Sequence, residues 1–592
     1  MEYLDSSQRA VVDSSEKRLF IEAPAGYGKT TVMVEKLVSD LTSGRIPYPK
    51  RILALTFSIN AARKMRNDIN EALARVDFKN RGFENRVDVL NYHALSRRII
   101  MRHGYTLLSS NTDVNMLVSM NESHILSYLQ SKGVPFSESK NQVLISLSSA
   151  VKQADKGLIK ELLDSYCSLV LETLVPNNCI TYNAILLLAI KILKDNESVC
   201  RLYRSLYPYV IVDEAQDTNL LGYELLSRLT GEQTRMCMFG DSLQRIYGFI
   251  GAIPDFVETA CKDFGLRVME LGTNYRFVEG SSMQLLDRNI RENIRNPLNP
   301  AINDEAKIPL LFSGSMETEI NQTCCLASAI LKGRSSSKVA VLVRSRGSYS
   351  DRIVDALESK GISCFDGLFG DDDDDFIRFN KVCLDGFDQL ASEIHEVNFA
   401  FLNRFTDAVL LLIEKEGFIY GGSYAQLIQA LGAQIREEHA GMPSDEKYQY
   451  IRSVFENRSI RHAISYIDVD VVVMTMHSSK GLEWDYVLLP EMMQWVIPAY
   501  RTCKDCCMEN RGNRTVQNTC SLAMSRTPES YIDELCLFYV AITRARRSAI
   551  LLATTDRVNK SYEHKKGYLS CFASLPGIKP FEAESLDDFG VS

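Results

Sequence analysis

The chain has 592 residues, of which 45% are apolar and 24% charged, with a formal net charge of −8. This is an ordinary globular composition with room for about four units of roughly 150 residues, and its acidic balance counts mildly against DNA, although a local basic groove fits within an acidic average. Fifteen cysteines without regular disulfide spacing, an N-terminus (MEYLDSSQR) lacking a basic-apolar leader, and no apolar run near the roughly 20 residues of a membrane span together predict a reduced, cytoplasmic protein.

In chain order, the first 60 residues alternate in an α/β manner. An apolar run, LFI, lies within Arg18–Ala23; PAGYGKTT follows, and then a helical pattern, TVMVEKLVSDL. RILALTF (51–57) reads as a second strand running into a helix from Asn60, and YVIVD (209–213) and RMCMF (235–239) as further strands. Continuous apolar strands bounded by helices predict a parallel sheet buried on both faces. Residues 104–180 have helical periodicity, polar loops such as SKGVPFSESK, and no strong strand. A second α/β region holds KVAVLVR (338–344), DVVVMTM (470–476), YVLLP (486–490) and SAILLAT (548–554). It is interrupted over 376–460 by another mostly helical stretch, EVNFAFLNRFTDAVLLLIEKEG and onward. The run DDDDD (371–375) at its edge reads as a solvated, self-repelling loop rather than a cation site. The expected architecture is two α/β domains with parallel sheets, each with a helical insertion. The first comprises 1–103 and 181–275 with the insertion 104–180; the second comprises 276–375 and 461–592 with the reduced insertion 376–460.

Two motifs carry chemistry. APAGYGKT (23–30) has the phosphate-loop pattern, with alanine at the first glycine position. Small residues over Ala23, Pro24, Ala25, Gly26, Tyr27 and Gly28 let backbone N–H groups face phosphate oxygens at a helix N-terminus. Lys29 is then placed for the β- and γ-phosphates and the Thr30 hydroxyl for Mg²⁺. Alone, the pattern also fits a Gly-rich turn. YVIVDEAQD (209–217) adds a buried strand ending in two carboxylates: Asp213 is suited to hydrated Mg²⁺ and Glu214 to polarising the attacking water. The competing reading of that pair is an acidic cap on the next helix.

DEAQD, the phosphate loop and several later segments, in order along nearly the whole chain, resemble the UvrD/Rep/PcrA family of superfamily 1 DNA helicases. LDSSQ (4–8) resembles the adenine-reading segment, with Gln8 as reader; LALTFSINAARKM (53–65) and DVLNYHALSRRI (88–99) resemble the next motifs. FGDSLQRIYGFIGA (239–252) resembles the motif linking ATP to DNA, and LGTNYRF (271–277) the NYR motif. MTMHSSKGLEWDYVLLP (474–490) and LFYVAITRARR (537–547) resemble the last two. The resemblance implies two RecA-like domains, ATP and Mg²⁺ as cofactors, and ATP held between the domains. Lys29, Thr30, Asp213, Glu214 and Gln244 come from the first domain, and Arg276 and Arg544 from the second domain's side. The two arginines would stabilise charge on the transferred phosphoryl group. Tyr275 resembles the adenine-stacking tyrosine and Glu483 the ribose-contacting acid. The resemblance also implies single-stranded and tailed duplex DNA as partners, with Phe57, His93, Tyr247, Phe249 and His477 as candidates for the strand contact; base–aromatic stacks contribute about 1–3 kcal/mol each.

The sequence departs from the family pattern at several places. Thr31 stands where many relatives have an arginine over the adenine. Leu535-Cys536 replace two arginines before the last motif, TYNAILL (181–187) lacks the acids of its counterpart, and Ile250 replaces the arginine that joins the DNA contact to the nucleotide. The short insertion 376–460 suggests a translocase, or a helicase that leans on a partner for processivity, and 548–592 is too short for a nuclease domain of ordinary size. Cys503, Cys506, Cys507 and Cys520 read either as a zinc site or as free thiols on a loop, and the irregular spacing favours thiols. Two functional readings follow. One is a DNA-dependent ATPase moving 3′→5′ and separating duplexes. The other is a DNA-sensing nucleotide switch regulating a partner, including the helicase subunit of a two-component bacterial antiviral defence system paired with a nuclease.

Overall fold

A computed structural model describes residues 4–56, 59–76, 84–108, 112, 114, 117–244, 256–334, 336–370, 373–394, 396–440, 442–456, 458–503, 529–558, 564–566, 568–583 and 587–589. Phe57, Tyr247, Phe249, Ile250, Cys506, Cys507 and Cys520 lie outside the described residues. The chain forms two compact units, Met1–Arg276 and Phe277–Ser592.

The first unit is built on β1 (Arg18–Glu22), β2 (Ile52–Thr56), β3 (Val87–Asn91), β6 (Tyr209–Val212), β7 (Arg235–Gly240) and β8 (Arg267–Glu270). They pair in the order β3-β2-β6-β7-β1-β8, every pairing parallel. Side chains alternate between two cores, one per face. Phe20, Leu53, Leu55, Val210, Val212, Met236 and Met238 enter one; Leu19, Ile21, Ile52, Ala54, Ile211, Cys237 and Phe239 enter the other. This two-sided burial is why these segments are apolar runs rather than alternating ones. β8 is the exposed edge, and its polar sequence, RVME, gives no strand signal.

The insertion of this unit is helical, over Glu122–Ser131, Glu138–Lys152 and Lys156–Leu169. It also holds two short strands, β4 (Val118–Met120) and β5 (Cys179–Thr181), which pair in parallel and close its base. Three residues are too few to produce a readable alternation. TYNAILL then opens a helix over Tyr182–Asp195, whose cap is the Thr181 hydroxyl accepting from the Ala184 N–H at 3.1 Å. Asn183 donates to the buried Glu122 carboxylate at 3.0 Å. The acids missing from this stretch are thus replaced by a helix cap and a tie to the insertion.

The second unit is built on β9 (Ala306–Ser313), β10 (Val339–Val343), β11 (Cys364–Asp366), β12 (Val471–Thr475), β13 (Trp484–Leu489), β14 (Ala545–Thr554) and β17 (Ile578–Glu582). The order is β11-β12-β10-β13-β14-β9-β17, again parallel throughout, with a separate antiparallel hairpin of β15 (Asp556–Val558) and β16 (His564–Lys566). Helices Asp374–Glu393, Phe399–Glu416, Gly421–Glu438 and Ser444–Glu456 form its insertion. An aromatic core holds them, with Phe379 stacked on Tyr424 at 4.3 Å. The acidic run is not simply a loop. Asp374 and Asp375 occupy the first turn of a helix, where carboxylates offset the helix dipole, and Asp373 accepts from the Gly370 N–H at 2.8 Å and pairs with Arg346. Among the described residues, no helix is long and apolar enough to cross a membrane.

Candidate nucleotide site

The site sits at the carboxyl ends of the first sheet's strands, where parallel sheets place their ligand-binding loops. β1 ends at Glu22, and the Ala23 N–H donates to the Gly240 carbonyl at 2.8 Å, anchoring the phosphate loop to the end of β7. Gly26 and Gly28 adopt left-handed backbones, with φ of 86° and 76°. A Cβ at Gly26 would lie 2.6 Å from the Arg276 Cβ, and one at Gly28 would lie 2.6 Å from Gln8 Nε2. Conformation therefore favours glycine at both, and at Gly26 space requires it as well, whereas at Gly28 the close neighbour is the flexible end of Gln8. The loop delivers Lys29 and Thr30 to the first turn of the helix Lys29–Thr42, with Thr31 exposed beside them.

Lys29 Nζ lies 3.1 Å from Asp213 Oδ1 and also pairs with Glu214 Oε1. Burial opposes the ammonium charge, but the two carboxylates outweigh it and raise the Lys29 pKa. Burial raises Asp213 in turn, only partly offset by Lys29. Glu214 itself is in a left-handed conformation at φ 48°, its N–H bonded to Asp213 Oδ1 at 2.9 Å. A non-glycine residue held there is strained, a cost that clusters at functional sites. Beyond Glu214 the network continues through Gln216 and Asp241, which motif spacing alone did not single out, to the expected Gln244. Gln216 Nε2 donates to Glu214 Oε2 at 2.6 Å, and Gln216 Oε1 accepts from the Asp241 N–H at 3.2 Å. Asp241 Oδ2 accepts from Gln244 Nε2 at 3.0 Å.

The NYR segment folds onto the phosphate loop. The Tyr275 N–H donates to the Gly26 carbonyl at 2.8 Å, and the Arg276 N–H to Asn274 Oδ1 at 2.8 Å. Tyr275 is 52% exposed, yet its hydroxyl donates to Asp5 at 2.7 Å and lies 3.3 Å from Gln8 Oε1. Gln8 Nε2 donates to the Tyr27 carbonyl at 3.2 Å. Burial works against the Asp5 charge, but the Gln8 N–H and the Ser7 and Tyr275 hydroxyls hold its carboxyl down at about 2. Gln8, the loop and Tyr275 thus form one hydrogen-bonded rim. Arg276, expected from the second domain's side, is the last residue of the first unit, because Asn274 and Tyr275 tie the segment to the loop.

The residues present fit a nucleoside triphosphate with Mg²⁺. Positive-φ glycines leave a cradle that side chains would fill, and a helix N-terminus points its N–H groups there. Thr30 and Asp213 supply the hard oxygen donors that Mg²⁺ takes alongside phosphate and water.

The second unit holds its own group of candidates. Arg544 is buried, its Nε donating to the Val540 carbonyl at 2.9 Å, Nη1 to Leu482 at 3.3 Å and Nη2 to Thr543 Oγ1 at 3.2 Å. Next to Leu482, Glu483 pairs with Arg546 at 3.2 Å. Leu535 and Cys536, which replace two arginines, are fully buried in the helix Glu529–Ile542, so apolar residues suit the packing. His477 lies in the turn after β12, where burial and the Arg344 charge push its pKa down to about 4. In the first unit, His93 opens the helix Tyr92–His103 after β3, edge-on to Tyr182 at 5.9 Å; burial and Arg97 push it down to about 4. Both imidazoles are neutral at pH 7, so any contact they make with a strand is by ring face or neutral hydrogen bond rather than charge. Cys503 is buried with its thiol bonded to the Pro498 carbonyl at 3.2 Å.

A model of the UvrD/REP helicase N-terminal domain matches residues 4–265, and one of the UvrD-like helicase C-terminal domain matches residues 416–555. A probable DNA helicase of Mycoplasma pneumoniae is 26% identical over 298 residues, 47% of this chain and 54% of that protein. The ATP-dependent DNA helicase Rep of Escherichia coli is 28% identical over 284 residues, 46% of this chain and 41% of that protein. The match to these two therefore spans only about half of each. The ATP-dependent DNA helicase PcrA of Staphylococcus aureus is 22% identical over 660 aligned positions, 94% of this chain and 84% of that protein. With both family models matched in order on the two sheet-bearing units, the chain belongs to the UvrD/Rep/PcrA-like family of superfamily 1 helicases.

Proposed function

We propose that this protein is a DNA-dependent ATPase that moves 3′→5′ along single-stranded DNA in the cytoplasm and unwinds tailed duplexes, using residues of both units for turnover. The observation that carries this reading is Lys29 held between Asp213 and Glu214 at the mouth of a glycine-built phosphate cradle. When bound, MgATP supplies the phosphoanhydride to be cleaved and a metal that neutralises its charge. Lys29 and the loop N–H groups bind the phosphates, and Thr30 and Asp213 hold the metal. As Lys29 turns to the phosphates, Glu214 loses one cationic partner and is available to accept the proton of the attacking water. Gln244, Arg276 and Arg544 stabilise the spreading charge. Gln8 and Tyr275 bind the adenine and Glu483 the ribose. The strand contact is assigned to Phe57, His93, Tyr247, Phe249 and His477.

The test is ATP hydrolysis with and without single-stranded DNA, followed by unwinding of a duplex with a 3′ tail. Strand-stimulated hydrolysis with unwinding is expected. Stimulation without unwinding would favour a DNA-sensing switch or a helicase subunit that needs a partner such as a nuclease. Absence of hydrolysis in excess Mg²⁺ and ATP would rule out every active reading.

A further inference from the structure

One buried side chain, Gln216, links Glu214 to the Asp241–Gln244 turn. Gln216 is 2% exposed and bridges the Glu214 carboxylate to the Asp241 backbone. Its Nε2 donates to Glu214 Oε2 at 2.6 Å, and its Oε1 accepts from the Asp241 N–H at 3.2 Å. The direction of the amide is fixed by chemistry. An ionised carboxylate only accepts and a backbone N–H only donates, so a flipped amide would lose both bonds. Asp241 then orders the turn that follows, with Oδ1 accepting from the Leu243 N–H at 3.1 Å and Oδ2 from Gln244 Nε2 at 3.0 Å. Gly240 belongs to the same device, since a Cβ there would stand 2.6 Å from Gln216 Oε1 and 3.3 Å from Phe20.

Gln244 is followed in the chain by the segment bearing Tyr247 and Phe249, which the family resemblance makes candidates for the DNA contact. We propose that Gln216 is a positioning residue that transmits the state of the Asp241–Gln244 turn to Glu214, so that strand binding sets the orientation of the general base. This route does not need an arginine at position 250, where the chain has Ile250. The proposal rests on the reading of the protein as a DNA-stimulated ATPase. A Gln216 that only filled space would affect all turnover alike. A Gln216 that couples the turn to the base affects the response to DNA.

The experiment measures kcat and KM for ATP with and without single-stranded DNA, together with binding of a fluorescent ATP analogue, for wild type, Gln216→Met and Gly240→Ala. Methionine fills the site without either hydrogen bond; alanine at 240 leaves the amide in place but displaces it. Loss of a hydrogen bond to a charged group predicts a fall of about tenfold or more in the ratio of stimulated to basal kcat, with KM and analogue binding within about twofold. A variant that binds the analogue and keeps the wild-type ratio overturns the proposal, as does an equal loss in basal and stimulated kcat. Should Gln216→Met not fold, Gly240→Ala decides alone, since it retains every hydrogen-bonding group. A wild-type enzyme without DNA stimulation refutes the functional reading itself, and the coupling falls with it; a stimulated wild type with unresponsive variants refutes the coupling alone.

Discussion

At the scale of single residues, the site is an arrangement of charges that await redistribution. Lys29 sits between two carboxylates at the end of β6, and none of the three is far into solvent, with side-chain exposures of 17%, 12% and 33% for Lys29, Asp213 and Glu214. Removing the negative charge of Glu214 should leave the phosphate cradle intact while taking away the proton acceptor. Glu214→Gln is therefore expected to lower turnover by about 10²- to 10⁴-fold with ATP affinity within a few-fold, measured by steady-state hydrolysis and equilibrium nucleotide binding. A variant keeping most of its turnover would remove Glu214 from the role of general base. Lys29, Thr30, Asp213 and Glu214 were legible because the phosphate loop and a strand-end carboxylate pair impose fixed spacings. Gln216, Asp5 and Asn274 were not, because their importance lies in partners far off in sequence. Gln216 reaches Asp241, Asp5 reaches Tyr275, and Asn274 lies 3.4 Å from the Ala25 carbonyl. One signal was available for Gln216: a polar amide two residues after Glu214, within the DEAQD motif.

At the scale of elements, the helix Ser6–Asp13 carries Gln8 near its N-terminus and is pinned at its other end by a buried cation. Lys36, 1% exposed, donates to the Val12 carbonyl at 3.3 Å and the Ser14 carbonyl at 2.6 Å, and pairs with Asp40 at 3.1 Å. Lys36→Met fills the volume but frees those carbonyls and leaves Asp40 with Arg45 as its remaining ion pair. A loss of about 2–4 kcal/mol in unfolding free energy is expected, together with a raised KM for ATP as the Gln8 rim loosens. Unchanged denaturant midpoint and KM would count against it. In the second unit, the helix Met316–Gly333 buries Glu319, which accepts from the Glu491 N–H at 2.9 Å. Burial pushes this carboxyl up from 4.5 to about 7. The folded chain holds a proton that the unfolded chain has lost, so this stabilising contribution is complete below pH 4.5 and drains away as pH rises through 7. Glu319→Gln should stabilise the protein at pH 8 by on the order of 2 kcal/mol and change little at pH 4.5, read from melting curves at the two values. Equal effects at both pH values would contradict the assigned titration. Elements buried on both faces, such as β1, β2, β6, β7, β10 and β12, were readable as apolar runs. Edge strands were not: β8 is polar and exposed, and β4, β5 and β11 are three residues each.

At the scale of the whole molecule, the functional groups are divided between two compact units. The first holds the phosphate cradle, both carboxylates, Gln244 and Arg276, whereas Arg544, Glu483 and His477 belong to the second. If turnover draws on both, a lesion confined to the second unit must lower hydrolysis although the phosphate loop is untouched. Arg544 is the sharpest place to look. Its guanidinium is oriented by three hydrogen bonds within its own unit, to Val540, Leu482 and Thr543, which hold a planar cation in one orientation before any nucleotide binds. Lysine keeps the charge but cannot reproduce that fork. Arg544→Lys is expected to reduce kcat by about 10²-fold or more, as removal of a preorganised donor at a developing charge does, with ATP binding little changed because the cradle lies in the first unit. The comparison that decides it is Arg546→Lys, two residues on, where the side chain is half-exposed and paired with Glu483. That variant should keep turnover within a few-fold. Similar losses for the two would mean that Arg544 serves the packing of its unit and not the nucleotide. A selective loss at Arg544 would make hydrolysis a property of both units acting together, which is what a motor that converts nucleotide turnover into movement along a strand requires.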